Sequence, residues 1–224
     1  MNFEQLRGKL IVSCQAPLGS PLNEPEIISA MALTAEQQGA AGVRLNYAAN
    51  IQAARQRISI PIIGIEKVVT NGFDVYITPT FAIAEQLARS GSDIIALDAT
   101  RRPRPQGEKI EALIPQIRKQ LQRPVMADIS TFEEGLFAAD CGADIVATTL
   151  CGYTAESKDT SLPALNLLES LASKLSVPVI CEGGVASPDD LRRAFDAGAY
   201  SVVVGTAITG ITQLVQQFVR ATYS

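Results

Sequence analysis

The chain has 224 residues, and 47% of them are hydrophobic, which is enough for one sizeable core and argues against disorder. Its formal net charge is −4, without a basic tail or an aromatic-basic stripe, so nucleic acid is not expected as a partner. The chain has no histidine, which excludes histidine-based catalytic triads and histidine-ligated metal sites. Any acid–base chemistry therefore falls to Lys, Asp, Glu, Tyr or Cys.

The sequence shows no N-terminal apolar segment and no run of about 18 or more apolar residues. We therefore expect no membrane interaction and a cytoplasmic location. The four cysteines show no CxxC spacing, and this favours reduced thiols over disulfides.

Short apolar runs rich in Val and Ile recur along the chain and predict strands that are buried on both faces. They lie at residues 10–15, 43–46, 61–66, 93–98, 124–129, 144–149, 178–181 and 201–205. Helical patterns fill the gaps, and several end at a glycine, as helices commonly do. They cover residues 24–38, 48–57, 81–89, 109–121, 132–140, 164–175, 189–197 and 211–222.

Strands that alternate with helices at this spacing indicate a parallel sheet. Eight such units favour a closed (β/α)8 barrel, also called a TIM barrel, over an open sheet. We expect one barrel domain over residues 1–224, with a short helix at 1–9 that covers the barrel floor. The longer connections at 67–80 and 152–162 follow the third and sixth strands, and they are either substrate-covering loops or merely long turns.

Polar residues end most of the predicted strands, and in such barrels catalytic side chains stand at the C-terminal strand ends. Residues two apart share a face of a strand, so Lys67 lies above Ile65 and Glu182 lies above Ile180. The predicted mouth then holds two cations and three carboxylates. The full set of polar strand ends is Gln15, Arg44, Lys67, Asp98, Asp128, Thr148 and Glu182.

Structural alternatives exist for three of these residues. Arg44 and Asp128 could form an ion pair that only stabilises the fold, and Asp98 could only cap the helix that follows it. So many charges at one mouth favour a function for the set, because buried charges without partners are costly.

Two glycine-containing turns follow the last two predicted strands and predict a phosphate site. Gly183 and Gly184 follow the seventh strand, and Gly205 and Thr206 follow the eighth. Bare backbone N–H groups at such turns can bind an anion, and this is a common phosphate position in these barrels. The alternative is that the glycines only allow tight turns. Glu182 stands beside the glycine pair, where a carboxylate would repel phosphate, so we expect it to have a chemical task.

Lys67 and Glu182 are the predicted catalytic pair. They stand on opposite sides of an eight-stranded mouth, which suits removal of a proton from one face of a carbon and its return to the other face. The outcome would be epimerisation. Burial can bring the pKa of a lysine down and that of a carboxyl up toward neutrality. The alternatives for Lys67 are a structural salt bridge, to Glu66 for example, and a Schiff-base role.

The motifs taken together resemble the bacterial N-acetylmannosamine-6-phosphate 2-epimerase family, in the right order from Leu10 to Thr209. They are Ser13-Cys-Gln-Ala-Pro17, Gly42-Val-Arg44, Pro61-Ile-Ile-Gly-Ile-Glu-Lys67, Tyr76-Ile-Thr-Pro-Thr80, Leu97-Asp-Ala-Thr-Arg-Arg-Pro103, Met126-Ala-Asp-Ile-Ser130, Thr148-Thr-Leu-Cys-Gly-Tyr-Thr154, Cys181-Glu-Gly-Gly184 and Val204-Gly-Thr-Ala-Ile-Thr209.

This resemblance implies a (β/α)8 fold and interconversion of N-acetylmannosamine 6-phosphate and N-acetylglucosamine 6-phosphate, in the catabolism of sialic acid or amino sugars. It implies no cofactor and no metal. It places the catalytic lysine at Lys67 and its acidic partner at Glu182. It places sugar binding at Gln15, Arg44 and Asp128, and phosphate binding at Gly184, Gly205 and Thr206. We also expect Thr148 and Tyr153 to bind the sugar and Gly183 to bind the phosphate.

One departure from the family pattern concerns the phosphate side. The family often continues Ile-Thr-Arg-Pro after the last strand, whereas this chain has Ile208-Thr209-Gly210-Ile211. The missing arginine leaves more of the phosphate binding to the backbone.

Two other functions are kept as alternatives. One is a different phosphosugar isomerase or epimerase on the same fold, although metal-dependent pentose-phosphate epimerases need histidine ligands. The other is a phosphosugar-binding protein without catalysis. A homodimer through a surface helix carrying Phe195 or Phe218 is a further expectation.

Overall fold

The computed structural model describes residues 3–223 and shows a closed barrel of eight parallel strands. Each strand pairs with the next along the chain, and β8 pairs with β1 to close the barrel. The (β/α)8 prediction is confirmed. The strands are β1 (Leu10–Cys14), β2 (Gly42–Asn46), β3 (Ile62–Ile65), β4 (Ile94–Asp98), β5 (Val125–Asp128), β6 (Ile145–Ala147), β7 (Val179–Glu182) and β8 (Ser201–Val204).

The helices follow the strands in alternation and lie within a few residues of the predicted ranges. They are α1 (Pro25–Gln37), α2 (Ala48–Arg55), α3 (Phe81–Arg89), α4 (Ile110–Gln116), α5 (Phe132–Asp140), α6 (Leu165–Lys174), α7 (Pro188–Asp196), α8 (Thr206–Thr209) and α9 (Ile211–Ala221). Short 3-10 helices add Phe3–Leu6 and Pro105–Gly107.

Two helical regions differ from the sequence prediction. The helix expected at 109–121 is α-helical only over α4 and continues as a π-helix over Ile117–Leu121. Pro115, which has no N–H to donate, lies just before the change. The short helix α8 was not predicted, because four residues give no readable periodicity.

Apolar side chains fill the barrel interior and place the polar strand ends at its mouth. Ile63 and Ile65 of β3 and Ile180 of β7 belong to one buried interior cluster. Lys67 and Glu182 continue the same faces by the two-residue period. Leu6 joins the cluster from the 3-10 helix Phe3–Leu6, so the predicted floor cover is present over the residues that the structure describes. Met1 and Asn2, part of that prediction, lie outside the described residues.

A second apolar layer lies between the strands and the surrounding helices, and it includes Val12, Leu45 and Leu171. The four cysteines are unpaired, as expected, and Cys14, Cys151 and Cys181 are buried. Over residues 3–223, no helix has the length and apolar character required to cross a membrane.

Candidate active site

A cavity of about 710 Å³ is lined by residues at and just beyond the C-terminal ends of the strands. Both predicted catalytic residues, Lys67 and Glu182, line it. Most of the predicted binding residues line it as well: Gln15, Arg44, Tyr153, Gly183, Gly184, Gly205 and Thr206. Residues at or just beyond the ends of β2, β3, β7 and β8 thus meet at one site.

A buried charge cluster lies at the base of this cavity. The Arg44 guanidinium donates to both carboxylate oxygens of Asp128, at 3.0 and 2.6 Å, and to Glu182 Oε2 at 2.8 Å. Burial lowers the pKa of Arg44, but the negative charges of Asp128 and Glu182 raise it by more, so the net shift is upward. Arg44 stays charged and shares one cation between two carboxylates.

Glu182 faces the cavity from the last position of β7, with 13% of its side chain exposed. Its Oε2 atom also lies 3.2 Å from the Thr149 hydroxyl. Burial raises the pKa of Glu182, while Arg44 opposes that shift and Asp128 adds to it. At a given pH the protonated form of Glu182 is therefore more available than that of a free glutamic acid, which suits a group that both takes and gives a proton.

Lys67 is carried by a hairpin that continues from β3. Its backbone forms an antiparallel bridge with Ile77, and Val68 N–H donates to Tyr76 O at 2.8 Å. The Lys67 N–H donates to Asn46 Oδ1 at 3.0 Å, which ties the hairpin to β2. The long connection at 67–80 therefore forms part of the cavity wall, where Tyr76 and Ile77 also lie.

The Lys67 amine is accessible from the cavity and makes no ion pair within residues 3–223, so the salt bridge considered for Glu66 is not formed. The surrounding protein still displaces water from it. This desolvation lowers the pKa of Lys67, Arg44 lowers it further, and Glu182 and Asp128 act in the opposite direction. The neutral amine, which is the form that can accept a proton, is therefore more available than in a free lysine.

Asp98 and Asp128 do not line the cavity, which corrects the predicted mouth of three carboxylates. Asp98 accepts hydrogen bonds from the backbone and hydroxyl of Thr100 and from Arg102, so it orders the loop after β4. Asp128 is fully buried behind Arg44. The ion pair considered for Arg44 and Asp128 is present, and its arginine reaches the cavity as well.

Thr148 also does not line the cavity, contrary to the sequence prediction. Its hydroxyl donates to the backbone oxygen of Glu182 at 2.9 Å and accepts from the Glu182 N–H at 3.1 Å. The neighbouring Thr149 faces the cavity instead. β6 ends at Ala147, so the alternation of faces that placed Thr148 inward no longer applies.

The two glycine turns form one side of the cavity. Gly183 and Gly184 have φ values of 107° and 72°, which side chains rarely tolerate. Within residues 3–223, the N–H groups of Gly183, Gly184, Thr206 and Ala207 have no hydrogen-bond acceptor. The Thr209 hydroxyl donates to Ser13 O at 2.7 Å and fixes α8 against β1.

Gln15 presents an unused acceptor to the cavity. Its Nε2 donates to the Ser13 hydroxyl at 2.7 Å, while its Oε1 is buried and has no partner within the described residues. A buried acceptor without a donor is costly, so this oxygen is suited to a hydroxyl or amide N–H of a ligand.

Sequence reasoning missed Asn46, Tyr76 and Thr149 as cavity residues. Asn46 ends β2 two residues after Arg44, so the period-two rule could have found it. Tyr76 reaches the site through the hairpin, whose pairing has no clear sequence signal. Burial and Asp128 raise the pKa of Tyr76, so it stays a neutral hydrogen-bonding phenol.

Comparisons with known proteins place the chain in a family. Residues 28–224 match the NanE family, described as "Putative N-acetylmannosamine-6-phosphate epimerase". The chain belongs to this family. A relative from Synechococcus elongatus, described as "Putative N-acetylmannosamine-6-phosphate 2-epimerase", is 51% identical over 98% of this chain and 96% of its own length. A relative of the same description from Cutibacterium acnes is 43% identical, over 95% of this chain and 93% of its own.

A solved structure shares the whole NanE fold. The N-acetylmannosamine-6-phosphate 2-epimerase from Clostridium perfringens superposes with a TM-score of 0.93 at 42% identity. The match covers 98% of this chain and 95% of that one. The family resemblance predicted from the motifs is thereby confirmed.

Proposed function

We propose that this protein interconverts N-acetylmannosamine 6-phosphate and N-acetylglucosamine 6-phosphate by proton exchange at C2. The observation that carries the proposal is that Lys67 and Glu182, from opposite sides of the barrel, line one cavity. Membership of the NanE family supports the substrate. No cofactor and no metal are part of the proposed reaction, which needs only proton transfer.

The C2 proton becomes acidic once the pyranose ring opens, because C2 then lies beside the aldehyde carbon C1. One of Lys67 and Glu182 removes this proton as a base, and the electron pair left on C2 delocalises onto the C1 oxygen as an enediolate-like species. The other group then donates a proton to the opposite face of C2. In the reverse direction the two groups exchange roles.

Arg44 stabilises the charge that develops in this reaction. It is the charged donor nearest to Glu182, and its position is fixed by two bonds to Asp128. A donor that needs no reorganisation stabilises a developing anion more than water does. Asp128 thus acts through Arg44, and the sugar itself is held by Gln15 and Tyr153 at the cavity wall.

The phosphate is held by backbone N–H groups on the glycine side of the cavity. The unpaired N–H groups of Gly183, Gly184, Thr206 and Ala207 can each donate to a phosphate oxygen. The lysine or arginine that often completes such a site is absent from this part of the wall, where Gly210, Gln213 and Gln217 lie instead.

Exchange in D₂O tests the proposal. The wild-type protein should incorporate deuterium at C2 of N-acetylglucosamine 6-phosphate, as followed by NMR or mass spectrometry. Lys67→Ala should slow this exchange by about 10²- to 10⁴-fold, the usual contribution of a positioned base. Lys174→Ala, which removes an exposed lysine at the end of α6, is the matched control and should exchange like the wild type.

The alternatives give different results in the same experiment. A wild-type protein that binds the sugar phosphate without exchange at C2 is a binding protein, and the proposed function is then wrong. Full exchange by Lys67→Ala would contradict the role of Lys67 only.

We also propose that the protein works as a homodimer through α9. No described residue of α9 is buried, and Ile211, Val215, Phe218 and Val219 are exposed on one face of it. Phe195, the other aromatic considered, packs partly against the core instead. The cytoplasmic location and the absence of a nucleic-acid partner stay predictions from the sequence.

A further inference from the structure

The Thr149 hydroxyl lies between two carboxylates of the charge cluster. Its Oγ1 is 2.7 Å from Asp128 Oδ1 and 3.2 Å from Glu182 Oε2. The same two oxygens are bridged by Arg44 Nη1, at 3.0 and 2.8 Å. Arg44 and Thr149 thus hold the same pair of oxygens, one as a fixed cation and the other as a hydroxyl that can rotate.

A hydroxyl carries one hydrogen, so Thr149 can donate to only one of the two carboxylates at a time. Asp128 keeps two bonds from Arg44 whichever way the hydroxyl points. Glu182 has only one bond from Arg44, and its Oε2 depends on Thr149 for a second donor. The direction of the hydroxyl therefore matters more to Glu182.

The second carboxylate oxygen of Glu182, Oε1, is free to exchange a proton with the substrate. Within residues 3–223, Oε1 has no hydrogen-bond partner, whereas Oε2 is held by Arg44 and Thr149. The neighbouring Thr148 holds the backbone of the same residue through its N–H and its carbonyl oxygen. Consecutive threonines therefore hold Glu182, one by its main chain and one by its carboxyl.

We propose that Thr149 is a positioning residue for the epimerisation, whose hydroxyl holds the ionised carboxylate of Glu182 and is released to Asp128 when Glu182 takes a proton. With Glu182 ionised, the hydroxyl donates to Oε2. With a proton on Oε1, the hydroxyl turns to Asp128 Oδ1, and Oε2 keeps its bond from Arg44. The role assigned to Thr149 rests on the proposed function, because it concerns the proton exchanged with C2.

The charged groups around Glu182 determine how its pKa changes when the Thr149 hydroxyl is removed. Arg44 from β2, Asp128 from β5 and Lys67 from the hairpin after β3 all face its carboxyl. Those charges remain in a Thr149→Val variant, which loses only the donor to the ionised carboxylate. The pKa of Glu182, already raised by burial, should therefore rise further, since the Thr149 bond lowers it.

The test compares Thr149→Val with Thr149→Ser in steady-state epimerisation over a range of pH. Thr149→Val should lower kcat about 10- to 100-fold, the range for loss of a hydrogen bond to a charged group. KM should change much less, and the acid limb of the pH profile should move to higher pH. Thr149→Ser, which keeps the hydroxyl, should return kcat to within about fivefold of wild type and leave the limb in place.

Thr80→Val is the matched control, because Thr80 is buried, makes no side-chain cap bond and does not line the cavity. It should leave kcat and the pH profile unchanged. A Thr149→Val variant with wild-type kcat and acid limb overturns the proposal, and so does a Thr149→Ser variant as impaired as Thr149→Val. Wild-type protein without C2 exchange would instead overturn the proposed function.

Discussion

At the scale of single residues, the site depends on one buried arginine. Arg44 is 1% exposed and shares its single positive charge between two carboxylates that would otherwise repel each other more strongly. Removing one partner of a buried pair leaves an uncompensated charge, which costs about 3–5 kcal/mol of stability. Arg44 therefore has a structural task besides the catalytic one that we propose, and a substitution there cannot separate them.

In the reaction that we propose, the pH dependence follows from Lys67 and Glu182 as a pair. The reactive enzyme carries one proton shared between them, as amine plus acid or as ammonium plus carboxylate. Below the pKa of Glu182 the pair binds a second proton and becomes inactive, and burial raises this pKa from 4.5. Above the pKa of Lys67 the pair loses its remaining proton, and desolvation lowers this pKa from 10.5. In a plot of activity against pH, the acid limb should therefore lie at higher pH and the alkaline limb at lower pH than for the free side chains, which gives a narrow bell-shaped profile.

The measurement is kcat/KM against pH with a protein shown to stay folded over the range. We expect the acid limb above 4.5 and the alkaline limb below 10.5. Limbs at or outside those two values would contradict the desolvation of this pair.

Much of the site could be predicted from the sequence, because strand ends follow from hydrophobic runs and a period of two. This rule predicts that Lys67 and Glu182 lie at one mouth, and in the structure both line the same cavity. The rule failed where the strand had ended, as at Thr148, and where a loop supplied the partners, as for Asp98 and Arg102. Such partners depend on loop conformation, which leaves no periodic signal.

At the scale of elements, the turn after β7 packs against the loop after β6. A Cβ at Gly184 would overlap Leu162 Cβ and lie 3.3 Å from its Cα, whereas a Cβ at Gly183 would meet no atom closer than 3.7 Å. Both glycines have positive φ, so the two positions share backbone strain and differ in the contact. Alanine substitutions at the two positions therefore separate the effect of backbone strain from the effect of the contact with Leu162.

Gly184→Ala should lower the unfolding midpoint and raise KM for the sugar phosphate more than Gly183→Ala does. The reason is that the loop carrying Leu162 must move as well as the turn, and strain at a positive φ costs about 1–3 kcal/mol in either variant. Thermal unfolding and steady-state kinetics check this. Equal effects of the two substitutions would show that the contact with Leu162 is unimportant.

Gly210, which follows α8, shows the same close packing. A Cβ there would lie 2.7 Å from the Cα, Cγ2 and backbone O of Thr206. The arginine often found here in the family therefore cannot be restored on this backbone without moving Thr206, one of the residues that would hold the phosphate.

At the scale of the whole molecule, the barrel is closed, and α9 is a long outer helix with no buried residue among those described. Ile211, Val215, Phe218 and Val219 repeat at the spacing of one helix face and are each about half exposed or more. A contiguous exposed apolar face of this kind marks an interaction surface. A second copy of the chain is the occupant that we propose.

Light scattering after size-exclusion chromatography tests this assembly. The wild-type protein should have the mass of two chains, and Phe218→Asp should shift it toward 23.8 kDa, because a charge would be buried at the interface. Gln216→Asp, an exposed position on another face of α9, is the matched control. A wild-type protein of one chain mass, or a Phe218→Asp variant that stays dimeric, would contradict the proposal.

The hairpin that carries Lys67 has a consequence for the entropy of binding. The backbone on both sides of this residue is held by pairing with Tyr76 and Ile77 and by Asn46 before any ligand arrives. Only the side-chain rotations of Lys67 remain to be restricted when the sugar enters. The conformational freedom of a flexible loop, which a ligand would otherwise have to remove, is lost during folding instead.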